Sequence, residues 1–439
     1  MSRLLFLCLG LCWLTNSPLL QAQIKPIRPF NGIKALIVGV SDYQQPGIPD
    51  LQYAHRDAAA LADYLREESP WPVASQDLVL LTNESATYAN FIAELTAIAD
   101  RCQPNDRLLL YFSGHGSIEA TADKPMGYLL FHDAPPDSYA SGGACKITTL
   151  NQVFEKIVRE KKADILLISD ACRSGSLAGE PFRGAETTTA ALAELFSGVI
   201  KMLSCESTQL SYESPHIGGG RGIFSYYLVE GMKGQADLNE NLFVDLFELE
   251  RYVQDEVRKA TKDKQHPIRQ GGVSDFKVSR VVHGARHLPS TAPSSEPDTS
   301  ALPDMQQFEA AIARGQLLYP QQGSAYATYQ QMKEGGIEPA YRKAMEMRLM
   351  SELQNEAQQA INDYITSPGR EIAKRWADQS IYAHYPEYLE VAASLAGEEN
   401  LFFPDIKSRE YYFRGVNLRL KADAMKNPPD SMLQRAIRL

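Results

Sequence analysis

Between Ile33 and about His283 the chain alternates short apolar runs with segments whose apolar residues recur three and four positions apart. Ile33–Val40 (IKALIVGV), Leu78–Thr82, Arg107–Phe112 (RLLLYF), Ile165–Ser169 (ILLIS) and Val199–Ser204 predict five strands. Leu51–Glu67 predicts a helix with Ala54, Ala58, Leu61 and Leu65 on one face. Ser85–Arg101 predicts a second, with Phe91, Leu95 and Ile98 inside, and Thr148–Glu160 a third, built on Leu150, Val153, Phe154 and Ile157. Helices at Ile223–Met232 and Val244–Lys262 close the unit. Strands that are apolar at every position are buried on both faces. The pattern therefore predicts an α/β unit, a mostly parallel sheet covered by helices.

Past His283 the pattern changes. Residues 284–304 are rich in Pro and Ser and lose all periodicity, as a flexible linker does. From 305 to 439 no strand pattern recurs, and helices are predicted at 306–318, 324–334, 338–365, 385–398, 408–425 and 430–439. Tyr411, Tyr412, Gly415 and Leu418 loosely resemble the first helix of a tetratricopeptide repeat, with a plain helical bundle as the alternative. Either way, 305–439 reads as a helical interaction domain for a protein partner. At the other end, residues 1–22 order Arg3, an apolar run from Leu4 to Leu14, a turn at Asn16-Ser17-Pro18 and then Ala22. That is the order of a secretory signal peptide, and the run is short for a stable membrane span. The expectation is export, to the periplasm or the exterior, leaving the α/β unit at 23–283.

The 439 residues carry a net charge of −10 with no dominant basic patch, which argues against nucleic acid as the main partner. Of the six cysteines, Cys8 and Cys12 lie in the signal segment. The remaining four, Cys102, Cys145, Cys172 and Cys205, form neither a disulfide framework nor a C-x-x-C metal motif.

Two strand ends carry the chemistry. The third strand runs into Tyr111-Phe112-Ser113-Gly114-His115-Gly116, and the fourth into Ser169-Asp170-Ala171-Cys172-Arg173-Ser174-Gly175. In an open α/β sheet ligands bind beyond the carboxyl ends of the strands. A His and a Cys on neighbouring strand ends can reach one substrate carbonyl, and a thiol needs such a His to gain thiolate character. Each motif alone has a blander reading, a core cysteine or a turn histidine; together they point to a nucleophile and its base.

These segments resemble the caspase-like peptidases, most closely the bacterial metacaspase-like branch. The matching residues are Tyr111–Gly116 (YFSGHG) and Asp170–Gly175 (DACRSG), supported by Ala35–Tyr43, Ala54–Leu61, Gly127–Ala134, Gln209–Glu213 (QLSYE) and Gly222–Gly234. The resemblance covers roughly residues 33–282. It implies a caspase-hemoglobinase fold and a Cys-His dyad, with Cys172 as nucleophile and His115 as acid and base. It also implies an oxyanion hole made by the backbone N–H groups of Cys172 and Gly116. The resemblance further implies that Asp170 and Asp57 form an acidic primary pocket, with Ser113 helping to line it. A carboxylate pocket selects Arg, then Lys, before the scissile bond. Helix-end and structural carboxylates are the alternatives for the two acids. No cofactor is required on this reading.

Three further features complete the expectations. Residues 237–248 place oxygen ligands at positions 1, 3, 5, 9 and 12 of a calcium loop, but position 6, normally Gly, is Leu242. Calcium is therefore a candidate activator without an assigned metal site. Arg183, between the fourth and fifth strands, is a candidate self-cleavage point. Gly218–Gly222 (GGGRG) lacks the Lys-Ser/Thr ending of a phosphate cradle and reads as a loop. The rival to a peptidase is a catalytically silent scaffold of the same fold that binds partners through its helices.

Overall fold

The computed structural model describes residues 30–71, 73–120, 125–171, 185–272, 276–281, 303–378, 380–425, 429, 431–432 and 434–435. The expectations for the signal segment, Cys172, Arg183, nearly all of the linker and most of 430–439 lie outside the described residues.

In chain order the strands are β1 (Ile33–Gly39), β2 (Leu78–Thr82), β3 (Arg107–Ser113), β4 (Gly116–Ala120), β5 (Pro125–Leu130) and β6 (Ala144–Lys146). They continue with β7 (Asp164–Asp170), β8 (Val199–Leu203), β9 (Glu213–Ser214), β10 (Arg221–Gly222), β11 (Phe243–Asp245), β12 (Ile268–Gln270) and β13 (Lys277–Arg280). Six of them form the central sheet in the order β12-β8-β7-β3-β1-β2. The five predicted strands lie side by side and parallel. The sixth, β12, joins antiparallel at the β8 edge. β3 is buried along its whole length and β7 everywhere but Asp164, as their unbroken apolar runs require.

Helices α1 (Ala54–Asp63), α2 (Tyr88–Arg101), α3 (Ile147–Lys156), α4 (Ala185–Ala193), α5 (Ile223–Glu230) and α6 (Leu246–Ala260) surround the sheet. Residues of α1, α5 and α6 fill the core on one face, and residues of α2 and α3 fill it on the other. α4 and the three-stranded sheet β4-β5-β6 are additions that the apolar pattern did not announce.

The C-terminal third is helical: α7 (Pro303–Ala313), α8 (Ala325–Glu334), α9 (Pro339–Thr366), α10 (Pro368–Ala377), α11 (Tyr385–Ala396) and α12 (Phe403–Asp423). These helices pack on the outside of α2 and α3. Buried Phe308, Leu353, Leu389 and Phe402 join the same apolar cluster as Phe91, Phe112 and Phe131. Tyr88 of α2 meets Phe402 edge-on at 6.3 Å and donates its hydroxyl to Asp405 at 3.2 Å. Lys343 pairs with Asp100 at 3.0 Å. No helix among the described residues is long and apolar enough to cross a membrane.

Candidate active site

The parallel register sets the site. β3 and β7 run in step, with Ser113 opposite Asp170 at their carboxyl ends. His115 follows two residues after Ser113. Cys172 follows two residues after Asp170 and lies outside the described residues. The strand pairing thus brings the two predicted motifs to adjacent strand ends.

His115 is fully buried, and one loop holds it. That loop, residues 40–53, connects β1 to α1. The His115 backbone N–H donates to the Tyr43 hydroxyl at 2.7 Å, and the two rings lie 5.1 Å apart. Ring Nε2 lies 2.8 Å from the Pro49 carbonyl oxygen. A carbonyl only accepts, so Nε2 carries the proton, and Nδ1 is the basic nitrogen of the neutral ring. This fixes both the tautomer and the ring plane, which a general base needs.

The two predicted pocket acids are both fully buried but differently satisfied. Asp170 accepts the Ser211 hydroxyl at 2.6 Å and the Ser225 hydroxyl at 2.8 Å. Ser225 also meets the Tyr111 hydroxyl at 2.7 Å, and Ser211 accepts from Gln265 at 3.0 Å. Asp57 accepts the Gly222 backbone N–H through both oxygens, at 3.1 and 3.0 Å, and the Arg221 Nε–H at 2.5 Å. A cation of the chain itself already faces this carboxylate. The GGGRG segment explains how. Gly218, Gly219 and Gly220 all take positive φ, at 55°, 76° and 103°, and turn the chain so that Arg221 returns onto α1. Glycine takes this region without the steric cost other residues bear. Ser113 is buried at the same strand end, and its hydroxyl has no hydrogen-bond partner among the described residues.

The Gly116 N–H, expected to face an oxyanion, donates to the Ala171 carbonyl at 2.9 Å. An oxyanion would have to compete with that carbonyl for the same donor. The missing Cβ serves packing instead: a methyl group there would sit 2.5 Å from Thr188 Cγ2 on α4.

The calcium-like loop, residues 237–248, forms a polar turn that leads into the cap of α6. Leu242 takes φ 67°, the left-handed conformation usually left to Gly at position 6. The Asp237 carboxylate accepts the N–H groups of Asn241 and Leu242 at 3.1 and 2.9 Å. Asp245 and Glu248 form a reciprocal cap at the start of α6. Among the described residues no group of three or more His, Cys, Asp or Glu side chains gathers as a metal site.

The roles of Tyr43, Pro49, Ser211, Ser225 and Arg221 emerge only in the folded chain. Tyr43, Ser211, Ser225 and Arg221 stand in segments with recognisable patterns, but only the run of glycines before Arg221 signals a turn.

The sheet order, the adjacent motif ends and the buried histidine agree with what the chain resembles. A family model described as "Caspase domain" matches residues 33–273. The chain belongs to the caspase-domain family. It is 25% identical over 159 residues to Metacaspase-1A of Aspergillus niger, covering 34% of this chain and 37% of that protein. It is 26% identical to Metacaspase-1B of Aspergillus terreus over the same length, covering 34% of this chain and 40% of that one. Its matches thus span well under half the length of these relatives. A solved structure of pro-Sf-caspase-1 aligns over 59% of this chain and 99% of its own, at 13% identity and a TM-score of 0.38.

Proposed function

We propose that this caspase-domain protein is an exported cysteine endopeptidase that cleaves after Arg or Lys. The observation that supports it most is the pairing of a tautomer-fixed, buried His115 with the strand end that leads into Cys172. In the proposed reaction the Cys172 thiolate attacks the carbonyl carbon of the scissile bond. The C–N bond breaks, and protonated His115 gives its Nδ1 proton to the departing amine. A thioester remains. Water then adds to it as His115 takes one of its protons, and the acid product leaves with the thiol restored. The buried carboxylates of Asp57 and Asp170, with Ser113 beside Asp170, supply the charge that selects a basic side chain.

The committed Gly116 N–H and the Arg221–Asp57 pair favour a second reading, a silent scaffold. The helical region is proposed to recruit a protein partner, with exposed Tyr411 and Tyr412 on α12 as candidate contacts. The test compares the full chain with Cys172→Ala under reducing conditions, on fluorogenic peptides ending in Arg, Lys or Asp, with and without calcium. Arg and Lys release that the variant lacks supports the peptidase reading. Asp release overturns the pocket assignment, and no release in any condition supports the scaffold. Calcium dependence is read from the same assay.

A further inference from the structure

The loop that holds His115 is itself held by the C-terminal helices. Its inner side is closed by its own bonds, Tyr43 N–H to Asp50 at 3.0 Å and Leu51 N–H to the Ser41 carbonyl at 2.8 Å. Beneath it lies the segment after β5. The Gln44 N–H donates to the His132 carbonyl at 2.9 Å, and the His132 ring lies 2.7 Å from the Asp42 carbonyl oxygen. Its outer side meets α9. Asn362, fully buried, uses its amide nitrogen twice: it donates to the Asp133 carbonyl at 2.8 Å and to the Gln44 side-chain oxygen at 3.2 Å. Its oxygen accepts from Gln358 at 3.0 Å. The Gln44 amide nitrogen in turn donates to Gln359.

One buried amide thus ties residue 44 to residue 133, on the two segments that already bond to each other through His132. Residue 44 is the neighbour of Tyr43, and Pro49 lies five residues on. These two are the groups that set the backbone and ring of His115. A buried, fully bonded amide holds its partners to one geometry, because a buried polar group left unpaired is costly. We propose that Asn362 is a positioning residue for His115, acting through Gln44 and the 43–49 loop. The helical region thereby forms part of the catalytic apparatus. A partner that shifts α9 would reach the active site along this path. The proposal rests on His115 being the catalytic base.

The test uses the full chain and three variants: Asn362→Leu, Gln44→Ala and the two combined. Two readouts are taken beside thermal stability. One is kcat and KM on an Arg reporter. The other is the rate of Cys172 alkylation by chloroacetamide against pH, followed by peptide mass spectrometry. The second needs no peptide substrate and reports the Cys172–His115 pair directly. Asn362→Leu is expected to lower kcat about 10-fold with KM changed less than about 2-fold, because misplacement of a catalytic group acts on the chemical step. It should also displace the alkylation–pH curve. Gln44→Ala should lower kcat about 3-fold, and the double variant should be no worse than Asn362→Leu, since both act along one path. A normal kcat and alkylation curve with only a lowered Tm overturns the proposal. If Asn362→Leu does not fold, Gln44→Ala, whose side chain is exposed, decides by the same criteria. If the wild type releases no Arg or Lys reporter, the specificity reading fails, and the alkylation curves alone decide this one.

Discussion

Asp57, in the first turn of α1, and Asp170, at the end of β7, are both without solvent exposure, yet they are held in opposite ways. Asp170 accepts hydroxyl hydrogen bonds from Ser211 and Ser225. Hydroxyl donors stabilise a carboxylate while leaving its net charge in place. Asp57 is held by a guanidinium and a backbone N–H. The guanidinium cancels its charge. Two acids that look equivalent in the sequence are therefore unequal as cation receptors. If the pocket takes a basic side chain, as proposed, that side chain competes with Arg221 for Asp57.

That difference can be broken from either side. Asp170→Asn should have the largest effect, a loss of about 100-fold or more in kcat/KM on Arg reporters, since on the proposed specificity it removes a buried charge partner of the substrate. An equal loss from Asp57→Asn alone would erase the distinction. Arg221→Gln keeps a donor near Asp57 but removes the cation. It should raise kcat/KM on Arg reporters roughly 3- to 10-fold and lower the Tm, because a buried ion pair is broken. Ser211→Ala and Ser225→Ala each remove one hydroxyl from Asp170 and should cost about 3- to 10-fold in kcat/KM. Gly116→Ala should leave the pocket charges alone and destabilise the fold by about 1–3 kcal/mol through the clash with Thr188. Adding Thr188→Ser removes the Cγ2 at 2.5 Å but keeps the Cβ at 2.9 Å, so it should recover only part of that loss in a denaturation curve.

Much of the architecture was legible because it is written in continuous apolar runs. Ile33–Val40 and Ile165–Ser169 became β1 and β7 within a residue or so at each end, since a strand buried on both faces tolerates few polar positions. β4, β5 and β6 were not legible. They are short, mix Gly, Ser, Glu and Lys with apolar residues, and pair with one another outside the main sheet. α10 was hidden because Pro368-Gly369 reads as a break, whereas Pro occupies the first helical position there. At the site, His115 could be named from its motif. Its partner Pro49 could not, because a backbone carbonyl carries no sequence signature. Arg221 meets Asp57 across 164 residues, a pairing that only the folded chain reveals. Asn362 likewise looked like one polar residue of a long helix.

The central claim is that Cys172 is a nucleophile activated by His115 beside a pocket for basic side chains. The most direct measurement is covalent trapping. The full chain is incubated with a peptidyl-Arg acyloxymethyl ketone or its Asp counterpart, and the adducts are mapped by mass spectrometry. Burial pushes the Cys102 thiol up to about 11 and holds the Cys145 thiol above its ordinary value, so neither competes near neutral pH. The account predicts one adduct, on Cys172, from the Arg reagent, and its loss in His115→Ala. Equal labelling by the Asp reagent, or labelling of Cys172 that survives His115→Ala unchanged, would contradict it.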